Sequence, residues 1–93
     1  MTDDPDDRHA VRIRRLCYRA GHTGMREIDL ILGGFARAHL HEFDDDGLDR
    51  FEVLMSHAEA DLFAWIAGSV PPSESLDRGL LRRIRAFRPG HSL

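Results

Sequence analysis

A chain of 93 residues is one domain's worth of polypeptide, and a domain that small buries only a limited share of its surface. Its single cysteine, Cys17, excludes an internal disulfide and a zinc ribbon and fits a reducing compartment. A net charge of −3 argues against a nucleic-acid binder, which carries a basic balance or one dominant basic face.

The charge is segregated along the chain. Residues 1–7 are acidic, 8–26 basic, 41–61 acidic and 76–88 basic again. Blocks of opposite sign imply either internal complementarity or a protein partner with a patterned surface. All 13 basic residues are Arg, and Lys, Asn and Gln are absent, which is the mark of GC-rich coding and suggests a bacterial source. The opening "MTDDPDD" has neither the basic flank nor the apolar stretch of a targeting signal. The longest apolar runs are too short to cross a bilayer. The expectation is a cytoplasmic protein with no membrane or nucleic-acid partner, an acidic flexible tail over 1–7, one helical domain over 8–88 and a short tail over 89–93.

The first predicted helix covers 8–20, "RHAVRIRRLCYRA". Ala10, Ile13, Cys17 and Ala20, with Leu16 beside them, form an apolar stripe at helical spacing. Arg8, Arg12, Arg15 and Arg19 form a basic ridge, read either as a solvated face or as a docking face for acidic groups. The second helix covers 25–40, with Met25, Ile28, Leu32 and Phe35 on one stripe and Leu30, Ile31 and Ala36 widening it. Such broad apolar coverage predicts a central helix. The Gly33-Gly34 pair inside it costs about 1 kcal/mol per glycine relative to Ala, which points to close approach of another helix or to a bend.

"HEFDDDG" reads as a loop, with Asp45 or Asp46 capping a third helix over 47–57 whose apolar face is Leu48, Phe51, Leu54, Met55 and Ala58. A short fourth helix carries Asp61 in its first turn, then Leu62, Phe63, Trp65 and Ile66, and stops at Gly68 and Pro71-Pro72. A fifth covers 74–87, capped by Ser73 or Ser75, with the stripe Leu76, Leu80, Ile84 and Phe87 ending before Pro89-Gly90. No stretch alternates as a strand does. The predicted fold is all-α, a compact bundle of five short helices.

Catalytic patterns are weak. The six His are scattered, and "HEF" lacks the second His of a zinc-protease helix, so no metal site is assigned. Cys17 lies on an apolar stripe and reads as a small core residue. Trp65 and Phe63 offer rings that could stack on a base, but set among Leu62 and Ile66 they read as core, a reading that partial exposure would turn into an interface hot spot. The remaining charged turn is "HTGMREID", His22–Asp29. With Gly24 as N-cap, Glu27 falls at the third helical position, where a carboxylate favours the helix dipole and can reach back to a backbone N–H. Thr23 is itself a plausible cap.

At these residues the chain resembles the FAD assembly factor family of succinate dehydrogenase (the SdhE family). "RRLCYRA", "GMREIDLILGGFA", "FEVLM", "DLFAWIAG" and a final amphipathic helix after prolines match the family in order and spacing over residues 12–88. The hallmark Arg-Gly-x-x-Glu, then a hydrophobic residue and Asp, reads here as Thr23-Gly24-Met25-Arg26-Glu27-Ile28-Asp29. The resemblance implies a five-helix domain, monomeric when free, that binds the flavoprotein subunit of succinate dehydrogenase or fumarate reductase. It implies that the factor promotes covalent FAD attachment there, performs no bond formation itself and holds no FAD stably. By the same resemblance Gly24 and Glu27 face the partner, with Arg26, Asp29, Arg15, Arg19 and His22 in support. Thr23 departs from the hallmark Arg, replacing a charged fork of donors by one hydroxyl.

Two other classes stand beside it. One is a small regulatory interaction module, an antitoxin-like inhibitor. The other is a helix-turn-helix built on the Arg ridge and the connection at 21–24, against which the acidic balance weighs.

Overall fold

The computed structural model describes residues 5–87. In it five α-helices follow one another: α1 (Pro5–Ala20), α2 (Arg26–His39), α3 (Asp45–Met55), α4 (Glu59–Ala67) and α5 (Arg78–Ala86), with a 3-10 turn at Leu40–Glu42 between α2 and α3. Among the described residues every regular element is helical, as the periodicity predicts.

α2 packs against α1, α4 and α5 and is the centre of the bundle. Ile28, Leu32, Phe35 and Ala36 are buried on it, facing Leu16 and Ala20 of α1, Leu48, Phe51 and Leu54 of α3, Leu62 and Trp65 of α4, and Leu80, Leu81 and Ile84 of α5. Phe35 lies at the middle of an aromatic group, stacked on Phe51 at 6.3 Å and edge-on to Phe87 at 6.0 Å.

The Gly33-Gly34 pair does not end the helix. A Cβ on Gly33 would sit 2.9 Å from the Cα of Gly21, so the end of α1 and the body of α2 touch backbone to backbone. Close approach, the first of the two expected reasons for the pair, is therefore the reason at Gly33.

Several boundaries and faces differ from expectation, each for a local reason. α1 starts at Pro5, so residues 5–7 belong to a helix rather than a tail; proline's fixed φ suits a first turn. Residues 1–4 and 88–93, with Pro89-Gly90 and the expected C-terminal tail, lie outside the described residues. α3 is capped by Asp44, whose carboxylate accepts from the Gly47 N–H at 2.9 Å, not by Asp45 or Asp46. α5 begins at Arg78, capped by Asp77 accepting from Leu80 N–H at 3.0 Å, so neither Ser73 nor Ser75 caps it. Each of these caps contributes about 1 kcal/mol. Ala10, Leu30 and Phe63 are exposed, because the buried arc of each helix is narrower than its apolar stripe, and Ala58 is exposed because α3 ends at Met55 and Ala58 instead caps α4.

The basic ridge splits. Arg12 donates to Asp49 and, at 2.6 Å, to Glu52 of α3, and the Arg19 guanidinium lies 3.9 Å from Glu52. The His9 Nε2–H donates to the Phe43 carbonyl at 3.0 Å. The basic block of α1 and the acidic block of α3 thus complement each other within the molecule. Trp65 is buried, and Cys17 packs on the edge of the core, where burial pushes its thiol pKa up and away from nucleophilic use.

Candidate partner-binding site

The corner between α1 and α2 is built by its backbone. α1 ends as Gly21 N–H reaches the Cys17 carbonyl at 3.1 Å, and the Gly21–Gly33 contact turns the chain sharply. Gly24 then takes φ +103°, in the left-handed region that a side chain disfavours. The helix N-cap is Met25 and makes no side-chain cap bond. This corrects both sequence readings: neither Gly24 nor Thr23 caps α2, and Glu27 is the second helical residue, not the third.

Thr23 and Asp29 hold the loop shut. One oxygen of Asp29 accepts the Thr23 backbone N–H at 2.7 Å and the Thr23 hydroxyl at 2.6 Å. The hydroxyl bond, together with the backbone N–H groups of Thr23 and Gly24 and the nearby His22, keeps the Asp29 carboxyl below its usual pKa. Asp29 is therefore spent inside the loop, and Thr23 supplies one of its donors. This gives a local role to the residue standing where the hallmark has Arg.

The other expected site residues are presented outward. Glu27 and Arg26 are exposed at the start of α2 and make no hydrogen bond or ion pair with another described residue. Arg15 is likewise exposed and unpaired among the described residues, whereas Arg19 leans toward Glu52. His22 is exposed, its Nδ1–H donating to the Tyr18 carbonyl at 2.7 Å and its ring stacked on Tyr18 at 4.0 Å.

The fold thus brings Gly24, Arg26, Glu27 and His22 to one corner, with Arg19 beside it. Asp29 lies beneath the loop, and Arg15 belongs to the α1 ridge. Three neighbours were not assigned to the site from the sequence. Tyr18, 66% exposed, stands off the apolar stripe of α1, and that offset was the available signal. Glu59 opens α4, and a Cβ on Gly24 would come within 3.7 Å of its carboxylate. Phe63, 43% exposed, lies one turn beyond Glu59, and only the packing of α4 on α2 places it here.

Among the described residues no group of three or more His, Cys, Asp or Glu could hold a metal ion, and no helix is long and apolar enough to cross a membrane. The regular structure described is helical throughout and presents no strand-to-helix glycine turn of the kind that cradles a pyrophosphate. What the corner offers is a rigid backbone edge with unpaired charges and exposed rings, the chemistry of a protein interface.

Comparison with known proteins agrees with that character. The chain is 33% identical over 79 residues to the FAD assembly factor SdhE of Acetobacter pasteurianus, covering 85% of this chain and 72% of that one. It is 31% identical over 77 residues to the mitochondrial succinate dehydrogenase assembly factor 2 of Candida glabrata, covering 78% of this chain and 50% of that one. The corresponding factor of Dictyostelium discoideum is 28% identical over 72 residues, 77% of this chain and 51% of that protein. The chain thus spans about half the length of these mitochondrial relatives. A family model described as the flavinator of succinate dehydrogenase matches residues 14–88, from the ridge of α1 past the end of α5, and on that extent the chain belongs to this family.

Proposed function

We propose that the chain is an assembly factor that binds the flavoprotein subunit of succinate dehydrogenase and promotes covalent attachment of FAD to it. The observation that carries this reading is the family match over residues 14–88. The motif by which the sequence resembles that family lies at the exposed corner Gly24–Glu27, which supports it as the contact. A left-handed glycine in an exposed turn lets a partner backbone come close. An unpaired carboxylate beside it gives that partner a charge to meet.

In this reading the factor is a helper and not the catalyst. The partner holds FAD and the reacting histidine, and the factor, a cytoplasmic monomer when free, holds the partner in a competent arrangement. Gly24 and Glu27 are the principal contacts, with Arg26, His22 and Arg19 around them. Fumarate reductase flavoprotein, where present, is a second client. Asp29 acts indirectly, by fixing the loop through Thr23.

The test is co-expression with the cognate flavoprotein subunit, with covalent flavin read as fluorescence of the denatured subunit on a gel. The chain raises that signal, and Gly24→Arg or Glu27→Ala lowers it about tenfold or more, the loss expected at an interface hot spot. Wild-type flavinylation with both variants refutes the site assignment. A signal indifferent to removal of the whole factor refutes the function.

A further inference from the structure

Beyond the hallmark corner, the surface continues as an apolar groove. On α2, Glu27 and Ile31 are one turn apart. On α4, Glu59, Phe63 and then Ile66 and Ala67 follow the same helical spacing. Gly24 lies against Glu59, so the loop marks one end of this strip. The groove itself is lined by Glu27 and Ile31 of α2, Phe63 and Ile66 of α4, and Arg85 and Phe87 at the end of α5.

Its floor is apolar. Ile31, Ile66 and Phe87 are half-buried and Phe63 is 43% exposed, so four apolar side chains meet at one surface. Single exposed apolar residues are ordinary, but a contiguous set beside unpaired charge marks an interaction surface. Two charged residues line the groove. Arg85 turns its Nε and one Nη onto the Trp65 carbonyl, at 2.9 and 2.7 Å, and so ties α5 to the end of α4. Glu27 has no hydrogen-bond or ion-pair partner among the described residues.

We propose that this groove seats a surface segment of the flavoprotein subunit in which a basic side chain meets Glu27 and an adjacent apolar side chain fills the space between Ile31, Phe63 and Phe87. The proposal rests on the assembly-factor reading and adds to it a second contact zone, Phe63 and its neighbours, about one helical turn from the hallmark. Two features select this occupant. The groove is continuous with the corner at Gly24–Glu27, and Glu27, the one carboxylate lining it, has no partner among the described residues, calling for a cation next to an apolar anchor. The apolar anchor supplies most of the affinity, and the charge at the rim steers approach.

The experiment titrates the full chain against the purified flavoprotein subunit at several salt concentrations, with flavinylation followed in parallel. Phe63→Ser weakens binding by about tenfold or more, whereas Val53→Ser, which trims an exposed apolar residue of α3, stays within about twofold. Glu27→Gln flattens the dependence of association on salt. As a variant that keeps the aromatic bulk, Phe63→p-benzoylphenylalanine cross-links to the flavoprotein on irradiation. Wild-type affinity and flavinylation in Phe63→Ser, or no cross-link from position 63, overturns the groove while leaving the assembly role standing. A wild-type chain that neither binds nor aids flavinylation overturns both. A wild-type dimer that Phe63→Ser converts to monomer assigns the groove to a second copy and likewise overturns the proposal.

Discussion

The face where α1 meets α3 and the corner at Gly24–Glu27 are both dense in charge, but they use it in opposite ways. On the α1–α3 face Arg12 faces Asp49 and Glu52 together, and acid from one helix answers base from another. At the corner Arg26 and Glu27 point outward without partners among the described residues. Of the two acids on the first turn of α2, only Asp29 is satisfied, and it is turned inward to Thr23. Charge paired within the molecule contributes to its stability, while charge left unpaired on a rigid edge is available to another protein. Substitutions on the two regions should therefore separate stability from partner binding, except where the backbone links them.

The largest effect is expected at that link. Gly33→Val places a branched side chain where the Gly21 backbone leaves 2.9 Å. Either the helices part or α1 shifts, and such overpacking costs about 2–3 kcal/mol. The melting temperature falls by about 10–20 °C for a domain of this size. Because the same contact turns the chain into the loop, flavinylation of the partner falls with it. A stable, active Gly33→Val would show that the corner does not depend on the helix crossing.

Arg12→Leu tests the other side. It removes the donor shared by Asp49 and Glu52 while keeping the apolar stem, and leaves two carboxylates of α3 facing each other. Partly exposed pairs are worth little, so the expected loss is about 1 kcal/mol in chemical denaturation, shrinking in high salt. Flavinylation stays at the wild-type level. A variant as stable as wild type but unable to support flavinylation would move the docking surface onto the α1–α3 face.

The two regions were not equally legible in the sequence. Period-3.6 patterning located all five helices, and Leu16, Ile28, Leu32, Phe51, Leu62 and Ile84 fell in the core as their spacing predicts. Opposite charge blocks offered internal pairing as one of two readings, and only the fold shows that Arg12 takes two carboxylates of α3. Caps were misplaced by one to four residues, because runs such as "DDD" and "SESLD" offer several oxygens and only the folded backbone selects one. The corner was visible through the resemblance at Gly24 and Glu27. Its internal wiring was not, since a Thr23–Asp29 bond across six residues depends on the φ of Gly24. Phe63 was misread as core because a nine-residue helix buries so few of its positions.

That wiring yields the smallest and most specific effect. The Asp29 pKa in the folded chain is lowered, first by the Thr23 hydroxyl and then by the backbone N–H groups of the loop. A depressed carboxylate pKa means that the folded state favours the ionised form. The resulting stabilisation is complete above the unfolded value, about pH 4, and is lost as pH falls through the lowered folded value. Asp29→Asn can still accept the same hydrogen bonds but without charge. It should therefore be slightly less stable than wild type at pH 7, by roughly 0.5 kcal/mol or less because solvent screens a carboxylate this near the surface, and the gap should close as the solution is acidified below about pH 4. Thr23→Ala keeps the backbone N–H donor and loses the hydroxyl, so it should show a smaller gap with the same pH dependence. Unfolding curves at pH 7 and pH 3 read both variants. A gap that persists at low pH would mean that Asp29 stabilises the loop by shape and not by its charge, and the inward-turned carboxylate would then no longer contrast with the outward-facing Glu27.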